Sequence, residues 1–461
     1  MSVAMDSSDE EKVMIALYYW YIPIPKRFID KHRDFHKEIC QTLNLNGRIR
    51  ISKEGLNGVL SGTKGNLMSY EKQLIDEVNR NELAKYRKED DEDCRYGNSL
   101  DVKYCHLRSD IDVEKQMFTS LSVKITSEVV SLNENAVLEE QKAKSRRRRK
   151  GRGRSKVVPE LNEQNHLEKK EQHTTISEKT LETKNAENKE LDLDKYQPAT
   201  HLTPQEWNEK LLNDAKSGED SNAILIDARN VYESNIGHFA VDGIPTLLTN
   251  TRKYSTIPSV LKASIPDMAG KNVYMYCTGG VRCERASVYL QALSNSPDWP
   301  EDVEKPSNIF QLQGGIQKYL ESYGNQEIQN DGEEEPANDN LGVDEVKPCL
   351  FAGKNFVFDQ RRYDPVVGNG LHGNNKTVGK CVVCSCLHDD YDNGHAPCEN
   401  KEARCCRCRV LVLICNDCRP TVRIWGEVDD SSDKPELFCG SVEKHCINEG
   451  NEVQHCELRQ Y

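Results

Sequence analysis

The chain lacks an apolar run long enough to cross a bilayer. "VMIALYYWYIPIP" comes nearest, and it falls short of the roughly 20 residues that a spanning helix needs. It also lacks a basic, apolar leader: the opening "MSVAMDSSDEEK" is acidic, the reverse of a signal peptide. Both absences argue against a membrane partner and for an intracellular protein, cytoplasmic by default, with a plastid address left to an alternative N-terminus. Net charge is −13, which excludes a surface that coats nucleic acid all over; any such contact must come from a local basic patch. No flavin or nicotinamide fingerprint is evident, nor an iron site. Aromatic residues are 7% of the chain and none occurs between Phe118 and Tyr196, so that segment has little with which to build a core.

What is present divides into patterned and unpatterned stretches. With 461 residues, hydrophobic content of 36% and a mean hydropathy of −0.74, the chain predicts several domains joined by segments outside any core. In the first stretch, "VMIALYYWYI" reads as a strand. Phe28, Phe35, Ile39 and Leu43 recur at helical spacing. "GRIRISKEGLNGVLSG" reads as two strands around a Gly-Leu-Asn-Gly turn. Leu67, Tyr70, Leu74 and Val78 mark a second helix, and "FTSLSVKI" a last strand. That β-α-β-β-α-β order predicts a small ferredoxin-like sandwich over residues 1–130.

Residues 131–195 read as a disordered linker. Its tract Lys142–Lys156 holds ten positive charges in fifteen residues, either a solvated linker or a nuclear address or weak RNA tether. Over 196–325, "HLTPQEWNEKLL" starts as a helix capped by Thr203 and Glu206. "AILIDARN" and "NVYMY" read as buried strands of a parallel sheet. "IFQLQGGIQKYL" adds a strand, a glycine turn and a helix. An acidic linker, 326–348, precedes a cysteine-dense region, 349–461. The whole predicts a multidomain chain, α+β at the front and α/β in the middle.

The stretch Lys271–Ser287, "KNVYMYCTGGVRCERAS", carries the chemistry. A strand passing through a tight turn into a helix aims unpaired backbone N–H groups at the turn and favours an anion there. Cys277 in that cradle ionises more easily, and the thiolate is the nucleophile. Gly279 and Gly280 let the backbone curl; Thr278 and Val281 complete the loop; Arg282 adds a permanent positive charge. The alternative is a packed core cysteine ahead of an ordinary helix. Cysteine, two glycines and arginine within six residues favour the reactive thiol. Four residues separate Cys277 from Arg282, one fewer than a tyrosine-phosphatase loop needs.

Residues 200–325, with "ILIDARNVYESNIGHF", "YCTGGVR" and "FQLQGGIQKYL", resemble a rhodanese domain. Together with "GRIRISKEGLNGVLSG" and "GKNFVFDQR", they resemble the rhodanese-domain family that includes the bacterial tRNA uridine hydroxylase of the wobble position and its eukaryotic relatives. The resemblance covers about 13–130, 200–325 and 349–418. It implies a ferredoxin-like (acylphosphatase-like) domain facing tRNA, and 5-hydroxylation of a wobble uridine with molecular oxygen as co-substrate. It makes Cys277 the active cysteine, able to carry a persulfide, and Arg282 the residue closing its loop. Asp227 and Arg229 match the "D.R" that braces such loops. Cys283 either resolves an oxidised Cys277 or packs in the first helical turn. Sulfur transfer from a small thiol or sulfur donor is the rival reaction, and a non-catalytic scaffold the second rival. The charged insertions, the tail after 418 and Gln360, where many relatives carry an acid, depart from the bacterial pattern.

The tail holds much of the chain's complement of eighteen cysteines. In a reducing compartment, Cys381/Cys384, Cys405/Cys408 and Cys415/Cys418 are Cys-x-x-Cys pairs with zinc-ligand spacing. The expected grouping sets Cys381 and Cys384 with Cys415 and Cys418, leaving Cys398, Cys405 and Cys408 for a second ion. Cys439, Cys446, Cys456, His445 and His455 are weaker candidates. An iron–sulfur cluster or free thiols are the alternatives to structural zinc.

Overall fold

The computed structural model describes residues 10–80, 100–132, 191, 193–216, 218, 221–323, 348–364, 377–427 and 434–439. The basic tract, nearly all of both expected linkers, and Cys446, Cys456, His445 and His455 lie outside the described residues.

The chain opens with strand β1 (Val13–Tyr21), helix α1 (Lys26–Thr42), strands β2 (Asn46–Ser52) and β3 (Gly55–Thr63), helix α2 (Lys64–Arg80) and strand β4 (Asp101–Cys105). With β5 (Leu121–Ile125) added, the sheet order is β4-β1-β3-β2-β5. The β-α-β-β-α-β order is present, but the strand that closes it is β4. "FTSLSVKI" instead supplies β5, parallel to β2 at the opposite edge. Strand β4 escapes a hydrophobic reading because Lys103 is buried in its middle, paired with Asp101 at 2.5 Å and set over the Tyr19 ring.

Two further expectations change. The hairpin turns at Lys53–Glu54, and Gly-Leu-Asn-Gly lies inside β3. Those glycines permit close packing: a Cβ on Gly55 (φ 142°) would stand 2.0 Å from the Trp20 carbonyl oxygen, and one on Gly58 2.3 Å from the Tyr18 ring. In α1, Ile39 is buried as expected, but its buried companions are His32, His36 and Cys40, while Phe28, Phe35 and Leu43 are only partly covered. Leu67, Tyr70, Leu74 and Val78 of α2 are all buried.

Strand β1 shows why this sheet matters for the chemistry. Its period of two sends Met14, Ala16, Tyr18 and Trp20 into the domain's own core. The alternate residues Leu17, Tyr19 and Tyr21 face the other way, toward the second sheet's cysteine loop.

The second sheet is built from β6 (Thr200–Leu202), β7 (Ala223–Asp227), β9 (Thr246–Leu248), β10 (Asn272–Tyr276) and β11 (Asn308–Leu312). Every pairing is parallel and the order is β6-β11-β10-β7-β9. Between the strands run α3 (Pro204–Ala215), the one-turn α4 (Val231–Ser234), α5 (Val281–Ser294) and α6 (Gly315–Tyr323). Thr203 and Glu206 form the expected capping box on α3. Both faces are covered, as a parallel sheet requires. Ile224, Ile226, Val273 and Met275 meet Ala286 and Leu290 of α5 on one face. Leu225, Tyr274 and Tyr276 meet Trp207 of α3 and Tyr319 of α6 on the other. Leu132, Leu191 and Leu193, inside the expected linker, pack on the first of these cores. A last strand, β12 (Phe351–Gly353), pairs with β8 (Gly237–Phe239), so the cysteine-dense region begins on the second sheet's own unit. Among the described residues no helix is long and apolar enough to cross a membrane.

Candidate active site and cysteine clusters

The C-terminal end of β10 delivers Cys277 to the gap before α5, the edge where open α/β sheets place ligands. Gly280 (φ 92°) turns the loop and donates its N–H to Cys277 Sγ at 3.2 Å. The start of α6 holds the loop from below: Ile316 N–H donates to the Cys277 carbonyl at 3.0 Å and Gln317 N–H to that of Thr278 at 3.1 Å. Burial works against ionisation of Cys277. A hydrogen bond from the Cys283 thiol, the Arg282 charge and the N–H groups of Cys283 and Arg282 outweigh it, and the thiol is held down at about 6. Burial and the adjacent thiolate push Cys283 up, which keeps its proton in place to donate.

Arg282 closes the loop in a way the sequence did not disclose. Its guanidinium donates to both Glu233 carboxylate oxygens, at 2.7 and 2.6 Å, and to Thr278 Oγ1 at 2.9 Å. Thr278 Oγ1 donates in turn to Glu233 at 3.0 Å. The positive charge expected at the loop is therefore largely offset by one buried carboxylate. Glu233 sits on α4, where its spacing from Asn230 forms a capping box. That spacing was the only sequence signal for it. Asp227 and Arg229 fix the same segment from behind: Arg229 forks onto Asp227 at 2.9 and 2.7 Å, and Ser234 donates to Asp227 at 2.8 Å. Neither touches Cys277 in any recorded bond, and Arg229 is fully buried.

The first sheet forms the roof. Tyr21 Oη donates to the Val281 carbonyl at 3.1 Å, and a Cβ on Gly279 would meet Leu17 at 3.2 Å. Arg285, one turn into α5, reaches Glu54 in the β2–β3 turn and Glu128 just after β5, each at 3.3 Å. Cys277 is 0% exposed as a result. The thiol is sealed under Leu17, Tyr19 and Tyr21.

Two sets of tail sulfurs converge. Cys381, Cys384, Cys386 and Cys415 lie within 4.8 Å of one another, with Cys418 against three of them. Cys405, Cys408 and Cys439 form the second set. The Cys384–Cys415 and Cys408–Cys439 separations are 3.7 and 3.8 Å. A tetrahedral zinc with bonds of roughly 2.3 Å sets its sulfurs about 3.8 Å apart, so the donor sets fit that ion. Two turns repeat one design. Cys381 N–H donates to the Cys386 carbonyl, and Ser385 N–H returns to Cys381; Cys405, Val410 and Arg409 do the same. Ser385 and Arg409 occupy the same left-handed position, at φ 63° and 62°. Cys398 lies on an exposed one-turn 3-10 segment and, among the described residues, outside both sets. Cys386 and Cys439 join instead.

Residues 13–129 match the UPF0176 acylphosphatase like domain, and residues 352–425 match the Rhodanase C-terminal domain. These two matches cover the first sheet's domain and most of the described tail. The Arabidopsis thaliana "Rhodanese-like domain-containing protein 6" is 30% identical over 413 residues, covering 89% of this chain and 51% of that protein. The chain thus spans about half the length of that relative. A protein named tRNA uridine(34) hydroxylase from Aster yellows witches'-broom phytoplasma is 27% identical over 360 residues, 77% of this chain and 76% of the other. One of the same name from Chlamydia trachomatis serovar L2 is 24% identical over 452 residues, 96% and 99% of the two chains.

The thiol can be read directly. The ultraviolet thiolate absorbance of the native chain, less that of Cys277→Ser, is expected to titrate with a midpoint of about 6. The cysteines outside the loop cancel in the difference, Cys283, raised by burial and by its neighbour, stays protonated through this range, and a midpoint near 9 would refute the cradle. Since the native thiol is depressed from 9.0, its contribution to stability is complete above about 9 and is lost as pH falls through about 6.

Proposed function

We propose that the chain is a tRNA-modifying enzyme that hydroxylates C5 of a wobble uridine, with Cys277 as its central thiol. One observation carries this reading: a thiol that accepts the Gly280 N–H lies directly beneath a five-stranded sheet ordered β4-β1-β3-β2-β5. The relatives named for this reaction match along both parts. That first domain is the RNA-facing one, and it must lift for the base to approach the sulfur. Molecular oxygen supplies the inserted oxygen, and a two-electron reductant takes the second oxygen atom to water. Arg282, Thr278 and Glu233 hold the loop in shape, with Asp227 and Arg229 behind them. Zinc in the two cysteine sets would shape the tail, with no part in the chemistry.

The same cradle favours a second reading, because a persulfide is also an anion that N–H groups stabilise. Sulfur transfer and hydroxylation leave different products. Mass spectrometry of tRNA nucleosides from a deletion strain carrying native or Cys277→Ser protein separates them. Hydroxyuridine is expected to return with the native chain and to stay absent with Cys277→Ser. Return of a thiolated nucleoside instead supports sulfur transfer, and full rescue by Cys277→Ser supports a scaffold.

A further inference from the structure

A cavity of about 800 Å³ opens beside the thiol loop and is lined by residues from all three parts of the chain. Strand β2 contributes Arg48, the second sheet's unit Arg252, and the tail Arg362, Arg404, Arg407 and Arg409. Only two carboxylates, Asp359 and Glu402, share the lining. Both are already engaged: Asp359 with Arg361 at 2.7 Å, and Glu402 with Arg404 at 2.7 Å and Arg362 at 3.7 Å. Among the described residues, no ion pair to a carboxylate is recorded for Arg48, Arg252 or Arg409. Arg362 is also forked onto Asp392 at 3.1 and 3.0 Å, so the cavity's positive excess rests on Arg48, Arg252 and Arg409, in a chain whose net charge is −13.

The wall nearest the active loop is aromatic. Phe358 is 47% exposed, large for a phenyl ring, and the Arg282 guanidinium lies 5.5 Å from its centroid. Tyr232 packs on Phe356 and Phe358, and the next residue, Glu233, holds Arg282. An uncovered ring beside a cluster of arginines suits a flat, negatively charged polymer: bases stack on the ring while guanidiniums hold phosphates. Arg409 is steadied by stacking on Trp425 at 4.9 Å, and Arg252 by donating to the Cys408 carbonyl.

We infer that this cavity is the docking groove for a single-stranded RNA loop, with Phe358 the platform for a base next to the one that reaches Cys277. The inference rests on RNA as the substrate and adds where it is held. Arg48 and Arg407 are exposed, Arg48 lying over the Phe118 ring at 5.3 Å, and replacing them removes charge at the surface of the groove. The probe is a labelled anticodon stem-loop RNA, measured by equilibrium binding across a salt series on the full chain carrying Cys277→Ser, which removes turnover. Arg48→Gln and Arg407→Gln are each expected to weaken binding and to flatten the salt slope by about 0.7 to 0.9. Phe358→Ala is expected to cost roughly 5- to 150-fold with the RNA, and little with an abasic oligomer of the same length. Unchanged affinity and slope in all three variants, with the parent still binding, would overturn the groove and leave the RNA reading intact. A parent that binds no RNA would overturn both. Polyglutamate bound as tightly as the stem-loop would show a docking surface for acidic protein, and the groove assignment would fall.

Discussion

Cys405→Ser is expected to lower the bound zinc of the purified chain by one ion and to open the tail to protease, while the parallel sheet stays folded. The reason lies in what holds residues 377–427 together. That stretch has no strand of the sheets, only isolated bridges such as Lys380–Leu387 and Arg404–Leu411, each closing one cysteine turn. Its apolar cluster is small and is interleaved with the cysteines themselves. Metal binding in such a region is folding free energy, of order 10 kcal/mol for structural zinc, beyond what so thin a core supplies. Cys405 is the informative choice because its set has three sulfurs among the described residues, whereas five sulfurs crowd the other and can substitute for one another. The parallel sheet has its own two cores and meets the tail's clusters through Val231, Tyr232 and Ile236. Cys398→Ser, outside both sets, should leave metal content and proteolysis unchanged. Elemental analysis in reducing, chelator-free buffer decides the matter. A native chain without metal, or a Cys405→Ser chain with the native content, would remove zinc from the account.

The loss should also reach the arginine cavity. Arg404, Arg407 and Arg409 are held in place by the turn that Cys405 and Cys408 close, and Arg252 binds the Cys408 carbonyl across the boundary. A chain with a melted turn would keep its acidic Cys277 and lose its grip on RNA.

What was legible in the sequence follows the range of the interactions. The thiol loop is local: strand, glycine turn and helix are contiguous, and the cradle around Cys277 comes from residues 280–283. The two-residue spacing of Cys381/Cys384 and Cys405/Cys408 is likewise local, and both pairs converge. Which distant sulfurs complete each set depends on how the tail folds back, so spacing alone singles out neither Cys386 nor Cys439 and draws in Cys398. Long-range packing hid the rest. Glu233 lies 49 residues before Arg282 and Phe358 lies 76 after it, and no pattern ties either to the loop. The roof is the clearest case. Leu17, Tyr19 and Tyr21 read as one face of a half-buried strand, but periodicity says only that the face is covered, not by what. That it covers Cys277 is what turns an open thiol into a sealed one.

Glu233→Gln is expected to destabilise the fold and acidify the thiol together. The carboxylate is fully buried and bonded twice to Arg282, which is itself buried. Removing one member of such a pair strands the other charge away from water, a loss of about 3–5 kcal/mol. The amide also turns a donor toward the guanidinium where an acceptor stood. Chemical denaturation at neutral pH should therefore show a clear drop in midpoint. The thiol moves the other way. With the carboxylate gone, the Arg282 charge acts on Cys277 unopposed, so the difference titration should fall below about 6. Glu233→Asp keeps the charge but not the reach, and should restore thiol acidity toward the native value more fully than stability. A stability loss under about 1 kcal/mol would mean that water already reaches the pair. A midpoint that rises instead would show that Glu233 serves to aim Arg282 at the sulfur, so that losing it lets the guanidinium swing away.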